Sequence, residues 1–254
     1  QTLADGGVYQ FAYTNNASGK IGQIDVTNPR GVLRRVVLNT SGYRVQDMRA
    51  LGRPEAQTMS YARQPGSNLV RSETDALGRR TDDTYDGFGN RTSMTRLAGT
   101  PQAVTTRWTY EPVFQQVTSI TDPLGHRTTF SYDSRGNLVA VTNPLGQRMS
   151  LSYNSAGQPL SLTDPLGNPV RLTYNLGDLA SITDPLGNVT TRFTDVVGRL
   201  VSLTNPLGQR VRYSYDILNR LTRITDPLGK NTAFAYDPNN NLLSVTDARS
   251  GITA

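Results

Sequence analysis

Asp122-Pro123-Leu124-Gly125 is followed by Tyr132-Asp133, with the tyrosine seven residues after the glycine, and by Gly136 four residues after that tyrosine. The frame returns at Asn143-Pro144-Leu145-Gly146, Asp164-Pro165-Leu166-Gly167, Asp184-Pro185-Leu186-Gly187, Asn205-Pro206-Leu207-Gly208 and Asp226-Pro227-Leu228-Gly229. The corner glycines step by 21, 21, 20, 21 and 21 residues. Such a period decides the architecture before any local propensity does, because each unit must bury its apolar face by stacking on its neighbours.

Outward from this stretch the frame persists in worn form. Asn28-Pro29-Arg30-Gly31, Arg49-Ala50-Leu51-Gly52, Asp75-Ala76-Leu77-Gly78 and Arg96-Leu97-Ala98-Gly99 read as earlier corners, and Asp247-Ala248-Arg249-Ser250-Gly251 as a last, altered one. That makes eleven corners with no linker, charge block or change of composition between them. The expectation is one array over 1–254, degenerate over 1–121 and regular over 122–254, cut from a longer chain because it opens on Gln1 and stops just past a corner.

Each unit holds two turns. Asp or Asn at the first corner position bonds its own backbone two residues on, proline presets φ at the second and glycine suits the fourth, which specifies a type I turn with the glycine at positive φ. The second turn, Tyr132-Asp133-Ser134-Arg135-Gly136, has Asn219 and Asn240 in place of glycine in later units, the residue that best tolerates a left-handed backbone. Between turns lie segments of about six residues, a normal strand length. Met149, Leu151 and Tyr153 share one face against Arg148, Ser150 and Ser152, and Val211, Tyr213 and Tyr215 repeat this against Arg212 and Ser214. Short turns force antiparallel neighbours, so the array predicts roughly twenty strands about 4.8 Å apart, in a sheet that must twist and curl. Tyr174 to Gly177 is one residue short, and Phe193 stands one place before the tyrosine position, which Thr194 fills. A one-residue slip exchanges faces, so a bulge is expected within 174–177 or 192–195.

Composition agrees with an all-β chain. Three Glu and two Lys are too few for helix surfaces, while Ser, Thr, Val, Tyr and Gly abound. Cys is absent, which excludes disulfides and thiolate metal sites, and the net charge of +6 is carried almost wholly by Arg. No run reaches membrane-spanning length.

Tyr-Asp-x-x-Gly-Arg/Asn-Leu followed by Thr-Asp-Pro-Leu-Gly resembles the Rhs repeat, also called the YD repeat, over nearly the whole chain and most strongly from Gly125 to Asp247. The family includes bacterial polymorphic toxins, shell-forming components of insecticidal toxin complexes and animal teneurins. The resemblance implies a β-strip wound into a hollow shell that encloses a C-terminal toxin or effector domain of the same polypeptide. It also implies secretion or a cell-surface location, other Rhs repeats as neighbours, and a secretion or delivery component as partner. The bacterial self-cleavage signature, Asp-Pro-x-Gly-Leu, is not met, because His, Gln, Asn, Asn, Gln and Lys follow the six regular corner glycines.

The residues themselves point to structure before chemistry. Asp122, Asp164, Asp184 and Asp226 alternate with Asn143 and Asn205, as a turn tolerates and a catalytic carboxylate does not; with Gly125, Gly146, Gly167, Gly187, Gly208 and Gly229 they form the repeat turns. His126 is the sole histidine and has no cysteine to share a metal with, so a turn residue is the simpler reading. Tyr132, Tyr153, Tyr174, Tyr215 and Tyr236 form a ladder that reads as cross-strand packing, with sugar stacking as its rival. Arg127, Arg148, Arg171, Arg210 and Arg212 raise nucleic-acid binding, but most of these arginines lie opposite the tyrosines that would stack on bases. The chain is therefore expected to be a non-enzymatic wall segment with no catalytic residue, metal or cofactor, the alternative being a carbohydrate-binding or adhesive surface module.

Overall fold

The computed structural model describes residues 1–2, 6–247, 249 and 251–253. Among these every regular element is a β-strand, from β1 (Gln10–Asn15) to β23 (Ile252–Thr253), and helix is absent. Ala248 and Ser250 of the altered last corner lie outside the described residues. Within each unit strands pair antiparallel with their sequence neighbours, as in β1 with β2 (Ile21–Thr27) or β13 (Arg148–Tyr153) with β14 (Pro159–Thr163). The all-β strand-turn-strand reading of the repeats is thus the observed fold. The chain groups into two compact units, Gln1–Phe130 and Ser131–Ala254, which part inside β11 (Arg127–Tyr132).

The two turns of each repeat share one local structure. Gly125 N–H donates to the Asp122 carbonyl and Asp122 N–H to the His126 carbonyl, both at 3.0 Å, a type I turn closed by a glycine at φ 87°. At the opposite edge Gly136 N–H reaches the Asp133 carbonyl at 3.1 Å and Asp133 N–H the Asn137 carbonyl at 2.9 Å. The repeats are distinguished instead by register. The Pro-Leu-Gly hairpin of β12 (Leu138–Thr142) and β13 pairs three residues without a shift, from Ala140↔Ser150 to Thr142↔Arg148. The tyrosine hairpin of β13 and β14 shifts between Ser152 and Tyr153, leaving Leu160 extra on the second strand.

The bulge expected within 192–195 is present, between Phe193 and Thr194. The same shift recurs beside Tyr174, Tyr215 and Tyr236, so it belongs to the repeat and not to one irregular unit. The missing residue is absorbed differently. Asn175 pairs with Asp178 across a two-residue turn in which Leu176 (φ 51°) and Gly177 (φ 93°) both take left-handed backbone, the twist-matched hairpin geometry. Two worn corners also differ. Ala50 (φ 52°) and Leu97 (φ 53°) are left-handed at the position that proline holds in the regular corners, and wider loops connect β4 (Arg44–Arg49) to β5 (Gln57–Arg63) and β8 (Arg91–Arg96) to β9 (Val104–Tyr110).

Faces follow the parity of the sequence. Leu151 pairs Leu162, Met149 pairs Val141 and Val211 pairs Leu203, while Ser152 pairs Ser161 and Ser202 pairs Arg212. Neither unit carries a second layer over its sheet. Among the described residues only Tyr61 and Ala140 are buried apolar side chains. The chain exposes 16644 Å², against about 11,000 Å² for a compact monomer of its mass. Stability therefore rests on strand pairing, cross-strand pairs and turn hydrogen bonds more than on a core.

Candidate docking surfaces on the sheet

The corner residues close their turns from within. Oδ1 of Asp122, Asn143, Asp164, Asp184, Asn205 and Asp226 each accepts the N–H groups two and four residues on, at 2.8–3.0 Å. Gly125, Gly146, Gly167, Gly187, Gly208 and Gly229 all lie at φ between 77° and 87°. The remaining side-chain atom selects the residue four positions on. Where it is a carboxylate oxygen it takes a donor: His126 on Asp122, Asn168 on Asp164, Asn188 on Asp184 and Arg199 on Asp195. Where it is an amide nitrogen it donates to glutamine: Asn143 to Gln147, Asn154 to Gln158 and Asn205 to Gln209. The bond from asparagine holds the carboxyls of Asp133, Asp164, Asp184 and Asp237 below the usual aspartate range.

Tyr153, Tyr174, Tyr215 and Tyr236 each donate the phenol O–H to the carbonyl fifteen residues earlier, on Leu138, Pro159, Leu200 and Leu221, at 2.8–2.9 Å. The physical need is plain: the three-pair ladder of each Pro-Leu-Gly hairpin stops short of that first strand residue, and the phenol takes its carbonyl. Tyr132 stands in the same place at the end of β11. Thr194 lacks the reach and donates instead to the Asp178 carboxylate at 2.8 Å. Beside the tyrosines, Arg199 bonds Asp195 of its own turn, donates to Asn219 of the next and lies 5.0 Å over the Tyr215 ring. Arg220 does the same with Asp216, Asn240 and Tyr236. This edge is a chain of linked turns, a feature invisible in the sequence because its partners lie 15 to 20 residues apart.

The opposite edge ends in apolar tips. Leu124, Leu145, Leu166, Leu186, Leu207 and Leu228 are 81–88% exposed at the tips of their turns. Between the edges the polar strand face shows a second unexpected feature. Ser202, 4% exposed, and Ala140, 2% exposed, are more covered than any apolar residue of the other face, although Ser152 and Ser214 in the same parity are exposed. They sit beneath longer neighbours, as Arg210 donating to the Ser202 hydroxyl at 2.9 Å shows.

The first unit holds several of its charges in pairs. Asp47, 1% exposed, is gripped at both oxygens by Arg34 and at one by Arg44, and Arg44 lies 4.6 Å over the Tyr61 ring. The Arg34 bond holds the Asp47 carboxyl below its ordinary range. A cleft of about 630 Å³ beside Arg80 and Asp82 also meets Asp83, whose carboxyl burial pushes up and whose Oδ1 lies 3.3 Å from Arg91. Among the described residues no group of three or more His, Cys, Asp or Glu is placed to hold a metal ion, and no helix is long and apolar enough to cross a membrane.

Comparison with known proteins places this geometry. The RHS Repeat family matches residues 114–148, 153–189, 195–230 and 218–252, just over half of the chain. No curated protein matches it. Among solved structures, TcdB2-TccC3 is 12% identical with a TM-score of 0.53, over 96% of this chain and 18% of that one. TcdB2-TccC3-Cdc42 is 12% identical with a TM-score of 0.48, over 96% and 20%. The Tc holotoxin pore of Photorhabdus luminescens is 12% identical with a TM-score of 0.47, over 94% and 19%. The chain spans about a fifth of the length of these structures, and the likeness is one of fold.

Proposed function

We propose, from the premise that this chain belongs to the RHS Repeat family, that it is a non-enzymatic wall segment of an exported β-shell enclosing a C-terminal toxin or effector domain of its parent polypeptide. The carrying observation is a repeat that supplies sheet and edges but no second layer over either face. Such a sheet separates two spaces, which is what a container wall must do. The fold shared with TcdB2-TccC3 supports the reading, as does the way the turn carboxylates spend their oxygens on their own backbone and on the residue four positions on. The sugar-stacking alternative loses its motive, because the repeat tyrosines are partly buried and donate their hydroxyls to backbone.

Limited proteolysis of the full-length parent tests the wall. The enclosed domain is expected to survive intact until the repeats are cut. A C-terminal domain digested while the repeats remain whole overturns the reading.

A further inference from the structure

In the second unit acidic and basic residues are sorted by position. Glu is absent there, and every Asp but one stands at the first position of a turn. The exception, Asp178, begins β16 (Asp178–Thr183) and accepts from Thr194, which stands in the tyrosine position. The polar strand face is left with arginine alone: Arg148, Arg171, Arg210, Arg212 and Arg223 are all exposed, and none appears in an ion pair.

Three of these converge. Arg210 and Arg212 are two apart on β19 (Arg210–Tyr215), and Arg212 pairs Thr225 while Ser214 pairs Arg223, so Arg212 and Arg223 are diagonal neighbours. Both separations are about 7 Å, the spacing of alternate side chains on an extended strand. Phe193 completes the patch. Because Thr194 takes the tyrosine position in β17 (Val189–Thr194), Phe193 falls on the other face, 60% exposed. It pairs Ser202, which pairs Arg212, so phenyl, small residue and guanidinium lie in one row across three strands. Among the described residues it is the one aromatic side chain this unit turns to its arginine face.

We propose that this face, centred on Phe193, Arg210, Arg212 and Arg223, docks an acidic, extended segment of polypeptide; resting on the wall reading, the segment belongs to the enclosed domain. The guanidinium fork matches carboxylates two by two, and one apolar side chain of the segment meets Phe193. Single-stranded nucleic acid fits less well, because base stacking needs several aromatic platforms and the tyrosines occupy the opposite face.

The test uses the present chain and a fluorescein-labelled, about 16-residue peptide of alternating Glu and Ser with one central Leu, followed by anisotropy at low salt. Saturable binding is expected, weakening as salt rises. R210E/R212E/R223E is expected to weaken it at least tenfold and F193S severalfold, while R212K/R223K, which keeps the charge but loses the paired donors, weakens it by an amount between wild type and the charge reversal. Unchanged far-UV circular dichroism shows that each variant retains its sheet. Absence of binding, binding indifferent to the charge reversal, or tighter binding of oligo-dT than of the peptide overturns the proposal. A domain protected from protease in the parent but no peptide binding removes this face and leaves the wall. Peptide binding with an unprotected domain supports the face and removes the wall.

Discussion

At the scale of single residues, the rule joining the first turn position to the residue four later makes unequal predictions for one substitution. D164N leaves Asn168 able to turn its amide over and accept the new donor, so the melting temperature should move by less than about 1 °C. D195N leaves the Arg199 Nε–H without its acceptor and loosens the link to the next turn, so a fall of about 2–4 °C is expected by differential scanning calorimetry. Equal shifts would show that the pairing does not matter. A second contrast concerns the phenols. Y215F removes the bond to the Leu200 carbonyl and should cost about 1 kcal/mol in urea unfolding. Y213F, whose ring shares the face and pairs Ile224, should stay within about 0.5 kcal/mol. The aspartate turns were legible from their Asx-Pro-x-Gly chemistry alone. The tyrosine bond was not, because its acceptor is a backbone carbonyl that no residue type announces.

At the scale of the element, each hairpin depends on a left-handed residue at its fourth turn position. Nothing lies within 4 Å of a side chain placed at Gly187, where φ is 85°, so G187A measures backbone strain alone. It should cost about 1–2 kcal/mol, and G187N about half of that, since Asn219 and Asn240 hold the equivalent place at φ 64° and 68° in other turns. A G187A variant as stable as the parent would refute the turn assignment. By contrast L186S, at a tip 88% exposed, should leave urea stability within about 0.5 kcal/mol. The strands were legible from alternation because period two is a local property. The recurring bulge was not, since register beside a tyrosine is set by the neighbouring strand; the same coupling put Phe193 on the arginine face.

At the scale of the molecule, many carboxylates are tied into turns or arginine pairs, which sets the acid limit of the fold. The carboxyls of Asp133, Asp164, Asp184, Asp237 and Asp47 are depressed in the folded chain, so the stabilisation they give is complete above the unfolded aspartate value of about 4 and is lost as pH falls through their lower folded values. Asp83, raised by burial, acts in the opposite sense and alone does not reverse the trend. The melting temperature should be flat from about pH 7 to 5 and fall steeply below about pH 4; a curve still flat at about pH 2.5 would show that the turn carboxylates carry no such weight. The sequence by itself determined the repeat, the turn chemistry, the alternation of faces and the family, because each is written in residues a few positions apart. Only the tertiary structure decided where the tyrosine hydroxyls go, which small residues are covered, which leucines stand in solvent and which arginines are left without acids, because those depend on strands brought side by side from 15 to 20 residues away.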